Sequence, residues 1–226
     1  MPDNRLQLDS WRIFRIIGEF VDGFETMVSI GPSVSIFGSA RMQESHPYYE
    51  QARLLAEKIS SKGFAIITGG GPGVMAAANE GGQMGGSPSC GIAIALPHED
   101  CHNAFIDKKY LLYTRYFFVR KVLFIRYAVA CVFMPGGFGT LDELFETLTL
   151  IQTKKIKRIP IFLVGVEYWK GMIEWIQKSP IAENFLSSED LELFRLTDDL
   201  DSIVEEIGAH ASPDRIVPTF ELGEES

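Results

Sequence analysis

Apolar residues along the chain fall into two rhythms. From Ser10 to about Met27, Ile13, Ile17, Phe20 and Phe24 recur at helical spacing, which predicts a helix with Asp9 or Ser10 as its N-cap. Trp11, Phe14, Ile16 and Val21 widen the stripe beyond one face. Such a helix needs a second covering surface, either the domain's own core or a neighbouring subunit. From Ser33 onward the rhythm changes. Short runs rich in β-branched and aromatic residues at 34–37, 64–67, 91–95, 130–134 and 159–164 read as strands, and helical patterns at 48–61, 74–81, 117–128 and 140–154 alternate with them. Near-continuous apolar strands joined by crossover helices describe an α/β domain built on a doubly wound parallel sheet, with helices on both faces. Amphipathic stretches at 168–178 and 200–207 bracket an irregular segment, 193–197, that can add an edge strand. The organisation read from this pattern is an N-terminal helical extension over 1–32, one domain over 33–211, and a flexible tail over 212–226.

Composition narrows the function classes. A chain of 226 residues with 46% hydrophobic content can bury the core of one domain. The formal net charge of -9 argues against a nucleic-acid partner or an anionic membrane surface, both of which need a basic face. An anionic ligand must therefore be held locally. Cys90, Cys101 and Cys131 form a sparse, odd set that fits a reducing cytoplasm, with Cys131 inside an apolar run as a small core residue. The first residues lack a signal pattern, and no apolar stretch approaches the roughly 18 residues of a membrane span. The expectation is a soluble, cytoplasmic protein.

Three strand-to-helix turns carry glycine: Gly38-Ser39-Ala40, the Gly-Gly-Gly-Pro-Gly run at 69–73, and Pro-Gly-Gly-Phe-Gly-Thr-Leu-Asp-Glu at 135–143. In a Rossmann-like sheet such turns gather beyond the carboxyl ends of the strands, where ligands bind. Glycine lets main-chain N–H groups approach an anion, and the following helix adds unpaired donors and the positive end of its dipole. Each charge-assisted hydrogen bond contributes about 1.5–3 kcal/mol, so a few hold a phosphate on an acidic protein. The last turn is the strongest phosphate cradle. There is no Gly-x-x-x-x-Gly-Lys-Ser/Thr, and the first strand leads into Gly38-Ser-Ala-Arg41 instead of Gly-x-Gly-x-x-Gly, which disfavours an NTPase or a dinucleotide-dependent dehydrogenase.

Asp142 and Glu143 stand in the first turn of the helix after the cradle, where carboxylates are favourable whatever the function. Glu143 is also placed to face the same pocket as the phosphate and act on water or a sugar hydroxyl, with Asp142 on another side of the helix. Upstream, Arg120 and Lys121 interrupt an apolar helix. A guanidinium fork suits phosphate or carboxylate and makes Arg120 the better site residue, whereas Lys121 suits a salt bridge or a long-range field. A structural ion pair between Arg120 and an acid is the alternative.

The triple glycine run, Arg120-Lys121 and the string at 135–143 together resemble the Lonely Guy (LOG) family of nucleoside 5'-monophosphate phosphoribohydrolases. Arg120 lies 23 positions before Glu143, which also fits. The resemblance extends from about Trp11 to Lys155. It implies hydrolysis of the N-glycosidic bond of a nucleoside monophosphate to free base and ribose 5-phosphate, with cytokinin nucleotides as plant substrates. Arg120 and Glu143 match the family's catalytic pair. The resemblance also implies a homodimer or higher homo-oligomer with sites near the subunit interface. Phe117 in place of a methionine, and Pro72-Gly73-Val74 in place of a Ser-x-Gly-Leu-Met loop, look like the longer bacterial branch, so AMP or a range of nucleotides is the expected substrate class.

On this reading Glu143 stabilises a ribosyl cation-like state while orienting or deprotonating water, and Arg120 holds the phosphate or Glu143. Gly136, Gly137, Gly139 and Thr140 anchor the phosphate, and Ser39, Gly70, Gly71 and Lys121 complete the nucleotide contacts. No metal or cofactor is invoked. His-Glu-Asp-Cys-His at 98–102 spells the H-E-x-x-H string, but it follows Pro97 at a strand end without a helical pattern, so zinc catalysis is disfavoured. The family's older lysine decarboxylase label demands a pyridoxal cofactor and a Schiff-base lysine that nothing here identifies. The rival from another class is a nonenzymatic nucleotide or molybdenum-cofactor carrier, against which retention of both Arg120 and Glu143 argues.

Overall fold

The computed structural model describes residues 4–94 and 102–212. Position 95 of the third predicted strand, positions 98–101 of the H-E-x-x-H string, Cys101 among them, and the tail from 213 lie outside the described residues. Seven parallel strands form one sheet: β1 (Ser33–Phe37), β2 (Ala65–Thr68), β3 (Ser89–Ile94), β4 (Leu111–Thr114), β5 (Ala128–Phe133), β6 (Ile161–Leu163) and β7 (Arg195–Leu196). Their order is β4-β3-β2-β1-β5-β6-β7. The helices are α1 (Asn4–Ile30), α2 (Pro47–Ser60), α3 (Val74–Gly85), α4 (Phe117–Arg126), α5 (Phe138–Gln152), α6 (Val166–Ile176) and α7 (Leu200–His210). The architecture is the doubly wound, Rossmann-like α/β sheet expected from the pattern.

Strand alternation divides the core into two layers. Val34, Ile36, Ala130 and Val132 point to the side covered by α2, α3 and α7. Phe37, Cys131 and Phe133 point to the other, where Val119, Leu123 and Phe124 of α4, Leu144 of α5 and Trp169 of α6 close over them. Phe37 stacks on Phe133 with ring centroids 4.9 Å apart. Because both faces of β1 and β5 are covered, β5 reads as an unbroken apolar run, and the two serines of β1 are buried with their hydroxyls donating to main-chain carbonyls, Ser33 to Tyr127 O and Ser35 to Phe124 O. The buried Cys131 thiol is pushed up by desolvation.

The sheet was built outward from β1 in both directions. The chain lays down β2, β3 and β4 on one side, then returns to place β5 on the other, with Val34 beside Ile66 and also beside Ala130. This reversal makes the β1/β5 boundary the topological switch point, where a crevice opens beyond the strand ends.

Two expectations change. The first helix starts at Asn4, so Asp9 and Ser10 lie within it and do not cap it. β4 was not foreseen: its four residues are too few to establish a period, and they become a strand by pairing with β3, Gly91 beside Leu111 through Ile94 beside Thr114. The irregular segment at 193–197 does supply the edge strand β7. On α1, Met27 and Ile30 are buried and Ile16, Phe20 and Phe24 pack on the core, while the opposite face leaves Trp11 67% and Phe14 66% exposed. The wide stripe is thus covered on one side only within this chain. Among the described residues no helix is long and apolar enough to cross a membrane.

Candidate active site

The turns after β1 and β5 are tied together by main-chain hydrogen bonds. Ser39 N–H donates to Pro135 O at 3.0 Å, and Ser39 O accepts from Val74 N–H at 3.0 Å, drawing the start of α3 to the same point. Gly137 caps α5, and its carbonyl accepts from both Thr140 and Leu141 N–H at 3.0 Å. The N–H groups of Phe138 and Gly139, at the very start of α5, have no acceptor within the helix. They give the turn the anion-attracting character of a helix N-terminus. Tyr168 hydroxyl donates to Gly136 O and braces the turn from α6.

Around this turn lies an open cleft of about 710 Å³, lined by Ser39, Ala40, Arg41, Gly69, Met75, Phe117, Arg120, the 136–143 segment and Tyr168. Of the residues picked out from sequence, Ser39, Arg120, Gly136, Gly137, Gly139, Thr140 and Glu143 share this wall. Gly70, Gly71 and Lys121 are not in its lining. Gly70, at φ 76°, packs under Ile106, and the carbonyls of Gly70 and Gly71 accept from Asn103 Nδ2 at 3.2 and 3.0 Å. Lys121 bridges Asp142 at 2.8 Å and also Glu146, which pins α4 to α5 from outside the cleft.

Arg120 and Glu143 occupy the inner wall. A Cβ at position 69 would stand 2.6 Å from Arg120 Nη2, so only glycine lets the guanidinium settle against this turn. Its Cζ lies 5.0 Å from the Phe124 ring centroid, a cation–π arrangement. Glu143 is 7% exposed. Arg120 Nε and Glu143 Oε2 are both buried without a hydrogen-bond partner among the described residues. Orphaned polar atoms of this kind mark places where water or a ligand belongs.

The carboxyl of Glu143 is pushed up to about 7, chiefly by desolvation and also by Glu146 and Asp142, against the opposing pull of Lys121 and Arg120. Burial lowers the Arg120 guanidinium, an effect that Glu143 partly offsets. A carboxyl poised near neutrality can give or take a proton at working pH, whereas an ordinary glutamate would be fully ionised.

Sequence reasoning passed over Tyr168 and Asn103. Tyr168 lies in the first turn of α6, just beyond the strand-to-helix turn that follows β6, and the rule that gathered the glycine turns would have led to it. Asn103 follows the segment with no pattern, and its role depends on a buried network: Asn103 Nδ2 donates to Asn79 Oδ1 at 3.0 Å, and Thr68 hydroxyl donates to the same oxygen at 2.6 Å. Two further histidines have ordinary structural places: exposed His46 caps α2 by accepting from Tyr48 N–H, and exposed His210 ends α7.

A family model described as possible lysine decarboxylase matches residues 75–207, more than half of the chain. The chain is 27% identical over 158 residues to the cytokinin riboside 5'-monophosphate phosphoribohydrolase LOG7 of Arabidopsis thaliana, covering 68% of this chain and 70% of that protein. It is 23% identical over 193 residues to the probable cytokinin riboside 5'-monophosphate phosphoribohydrolase LOGL6 of Oryza sativa subsp. japonica, covering 83% and 75%. Among solved structures, TM1055 shares the fold at a TM-score of 0.59 and 20% identity over 79% of this chain and 99% of that one. The molybdenum cofactor carrier protein of Chlamydomonas reinhardtii does so at 0.55 and 22%, over 79% and 97%.

Proposed function

The chain belongs to the Lonely Guy (LOG) family, the one described as possible lysine decarboxylase, and on that premise we propose that it hydrolyses the N-glycosidic bond of nucleoside 5'-monophosphates, AMP or cytokinin riboside monophosphates, to free base and ribose 5-phosphate. The observation that carries this reading is Glu143: a buried carboxyl at about 7 with an unpartnered oxygen, one helical turn from an open anion cradle and in the same cleft as Arg120.

The phosphate sits at the start of α5, on the free N–H groups of Phe138 and Gly139, beside Thr140 and Ser39. Binding there draws the ribose along the cleft toward Glu143. The glycosidic bond then lengthens and its electron pair leaves with the base, while positive charge grows on the ribosyl ring. The Glu143 carboxylate stabilises that charge and takes a proton from the water that bonds to the anomeric carbon. The departing base gains a proton, so the sum is addition of one water. Arg120, packed between Gly69 and Phe124, favours the charged form of Glu143 against the burial that raises its carboxyl. Remote phosphate binding supplies the alignment, which makes a free nucleoside a poor substrate.

The decarboxylase description does not fit the cleft. Pyridoxal chemistry needs a lysine for its Schiff base, and no lysine lines the cleft among the described residues; Lys121, which is not in the lining, is engaged by Asp142 and Glu146. We also propose that a second copy covers the exposed face of α1, since Trp11, Phe14 and Ile17 present an apolar surface that water would otherwise meet. Light scattering on Trp11→Glu/Phe14→Glu should then show a smaller assembly than the parent chain forms.

The deciding experiment incubates the purified protein with AMP, GMP, CMP, UMP and an isopentenyl-adenine nucleotide, and separates the products. Free base and ribose 5-phosphate in equal amounts from at least one nucleotide is the expected result. No release from any of them, together with tight retention of a nucleotide or of molybdenum cofactor, replaces the hydrolase with a carrier.

A further inference from the structure

A phosphate monoester bound in this cleft brings up to two negative charges to a wall that already holds Asp142 and Glu143. Main-chain N–H groups can hold the phosphate but carry no full positive charge, so a cation at the cradle would add the compensation they lack. Three basic side chains stand nearby, and their surroundings separate them. Lys121 has spent its charge on Asp142 and Glu146 and is not in the lining. Arg120 is half-buried, pressed against Gly69 and Phe124, and lies beside Glu143 at the reacting end. Arg41 is exposed, and among the described residues its guanidinium has neither ion pair nor hydrogen bond.

The base of Arg41 is nonetheless fixed. Its main-chain N–H donates to Ser39 Oγ at 3.1 Å, and Ser39 N–H is fastened to Pro135 O, at the very start of the 135–143 turn. Arg41 also lines two neighbouring hollows, the main cleft and a shallower one of about 500 Å³ bounded by Gln43, Glu44, Pro72 and Gly73. It therefore stands on the ridge between them, anchored to the cradle by two hydrogen-bonded steps and with its charge uncommitted. The orphaned Oε2 of Glu143, in the same wall, independently marks the cleft as built for a ligand.

We infer that Arg41 is the cation that reads the substrate's phosphate, closing over it from the β1 turn while the start of α5 holds it from the β5 turn. This deepens the proposed function, because it divides the two arginines: Arg41 recognises the phosphate monoester, and Arg120 serves Glu143. A planar guanidinium fork provides two parallel donors to phosphate oxygens, which a lysine at the same place reproduces only as a point charge.

The test is calorimetric titration of ribose 5-phosphate, and of inorganic phosphate, into the parent chain, Arg41→Ala, Arg41→Lys and Lys121→Met. An exposed, unpartnered side chain can be removed without disturbing the fold, and circular dichroism checks that. The expected result is a loss of affinity of at least about tenfold in Arg41→Ala, a smaller loss in Arg41→Lys, and a loss in Lys121→Met below that of Arg41→Ala. Affinity within twofold of the parent in Arg41→Ala overturns the inference, as does a larger loss in Lys121→Met, or failure of the parent chain to bind either probe. Turnover separates this inference from the reading beneath it. If the parent chain releases no base from any nucleotide yet Arg41→Ala loses phosphate affinity, the hydrolase falls and the phosphate role of Arg41 stands. If turnover is robust and Arg41→Ala keeps the parent's KM for AMP, the reverse holds.

Discussion

Two glycine turns at the same edge of the sheet, one after β2 and one after β5, differ sharply in how they are packed. The turn after β2, at 69–73, is packed solid. Gly73 has φ 67° and would drive a Cβ to 2.3 Å from Ser39 O, Gly69 lies under the Arg120 guanidinium, and the carbonyls of Gly70 and Gly71 are consumed by Asn103. The turn after β5 is open. A Cβ at Gly137 or Gly139 would meet nothing within 4 Å, and neither residue has a positive φ. The first turn needs glycine to fold, whereas nothing within this chain requires glycine at either of those two positions of the second. Glycine in a helical first turn sacrifices stability relative to alanine, and the compensating gain is bare main chain beside a cleft. The same residue type thus marks a packing device in one turn and leaves main chain bare beside an open cleft in the other.

The largest effect should come from the acid that the open turn carries. Glu143→Gln keeps the shape and the phosphate contacts but cannot take a proton, so turnover should drop by roughly 10²–10⁴-fold, with ribose 5-phosphate affinity little changed. Parent-like turnover in this variant removes Glu143 from the mechanism. Next in size is the packed turn: Gly73→Ala meets both a forbidden φ and the Ser39 carbonyl, and should cost about 2–5 kcal/mol of stability in urea melts. If it melts like the parent, the contrast between the two turns is wrong.

A third prediction concerns what burial of Glu143 does to the fold. Its carboxyl is raised from 4.5 to about 7, so the folded state binds its proton more tightly than the unfolded chain does. The favourable contribution is complete below about pH 4.5 and disappears as pH rises through 7. Glu143→Gln, neutral at every pH, should therefore match the parent at pH 4.5 and exceed it at pH 8.5, by up to about 3 kcal/mol. Thermal melts across that range should show two curves that diverge with rising pH; parallel curves would mean that burial does not strain this carboxyl.

How much of this was legible beforehand follows from what each feature depends on. Strands β1, β2, β3, β5 and β6 announced themselves because strands buried on both sides are mostly apolar in sequence, with buried Ser33, Ser35, Thr68 and Ser89 as their polar exceptions. The cradle was legible because a glycine-rich string ahead of a helix has local causes. β4 and the Asn79–Asn103 clamp were not, since a four-residue edge strand and a pair of asparagines acquire meaning only through partners far along the chain, β3 and the 69–71 turn. The near-neutral carboxyl of Glu143 belongs to the same class: its position in the helix could be read from spacing, but its desolvation is a property of the assembled wall.

The smallest effect gives the finest test of the two-turn contrast. Gly139 lies in the first turn of α5, with backbone angles compatible with an L-residue and open space where a Cβ would go. Gly139→Ala should raise stability, by up to about 1 kcal/mol, because alanine loses less backbone freedom in a helix. The same methyl would stand over the N–H groups offered to the phosphate, so affinity for ribose 5-phosphate should fall while the melting temperature rises. Gains and losses of opposite sign from one methyl are what a functional glycine predicts, since a structural glycine loses on both counts. A variant that melts higher and binds ribose 5-phosphate as well as the parent would show that the open turn is merely unoccupied surface, and would shift the search for the anion to the Arg41 ridge alone.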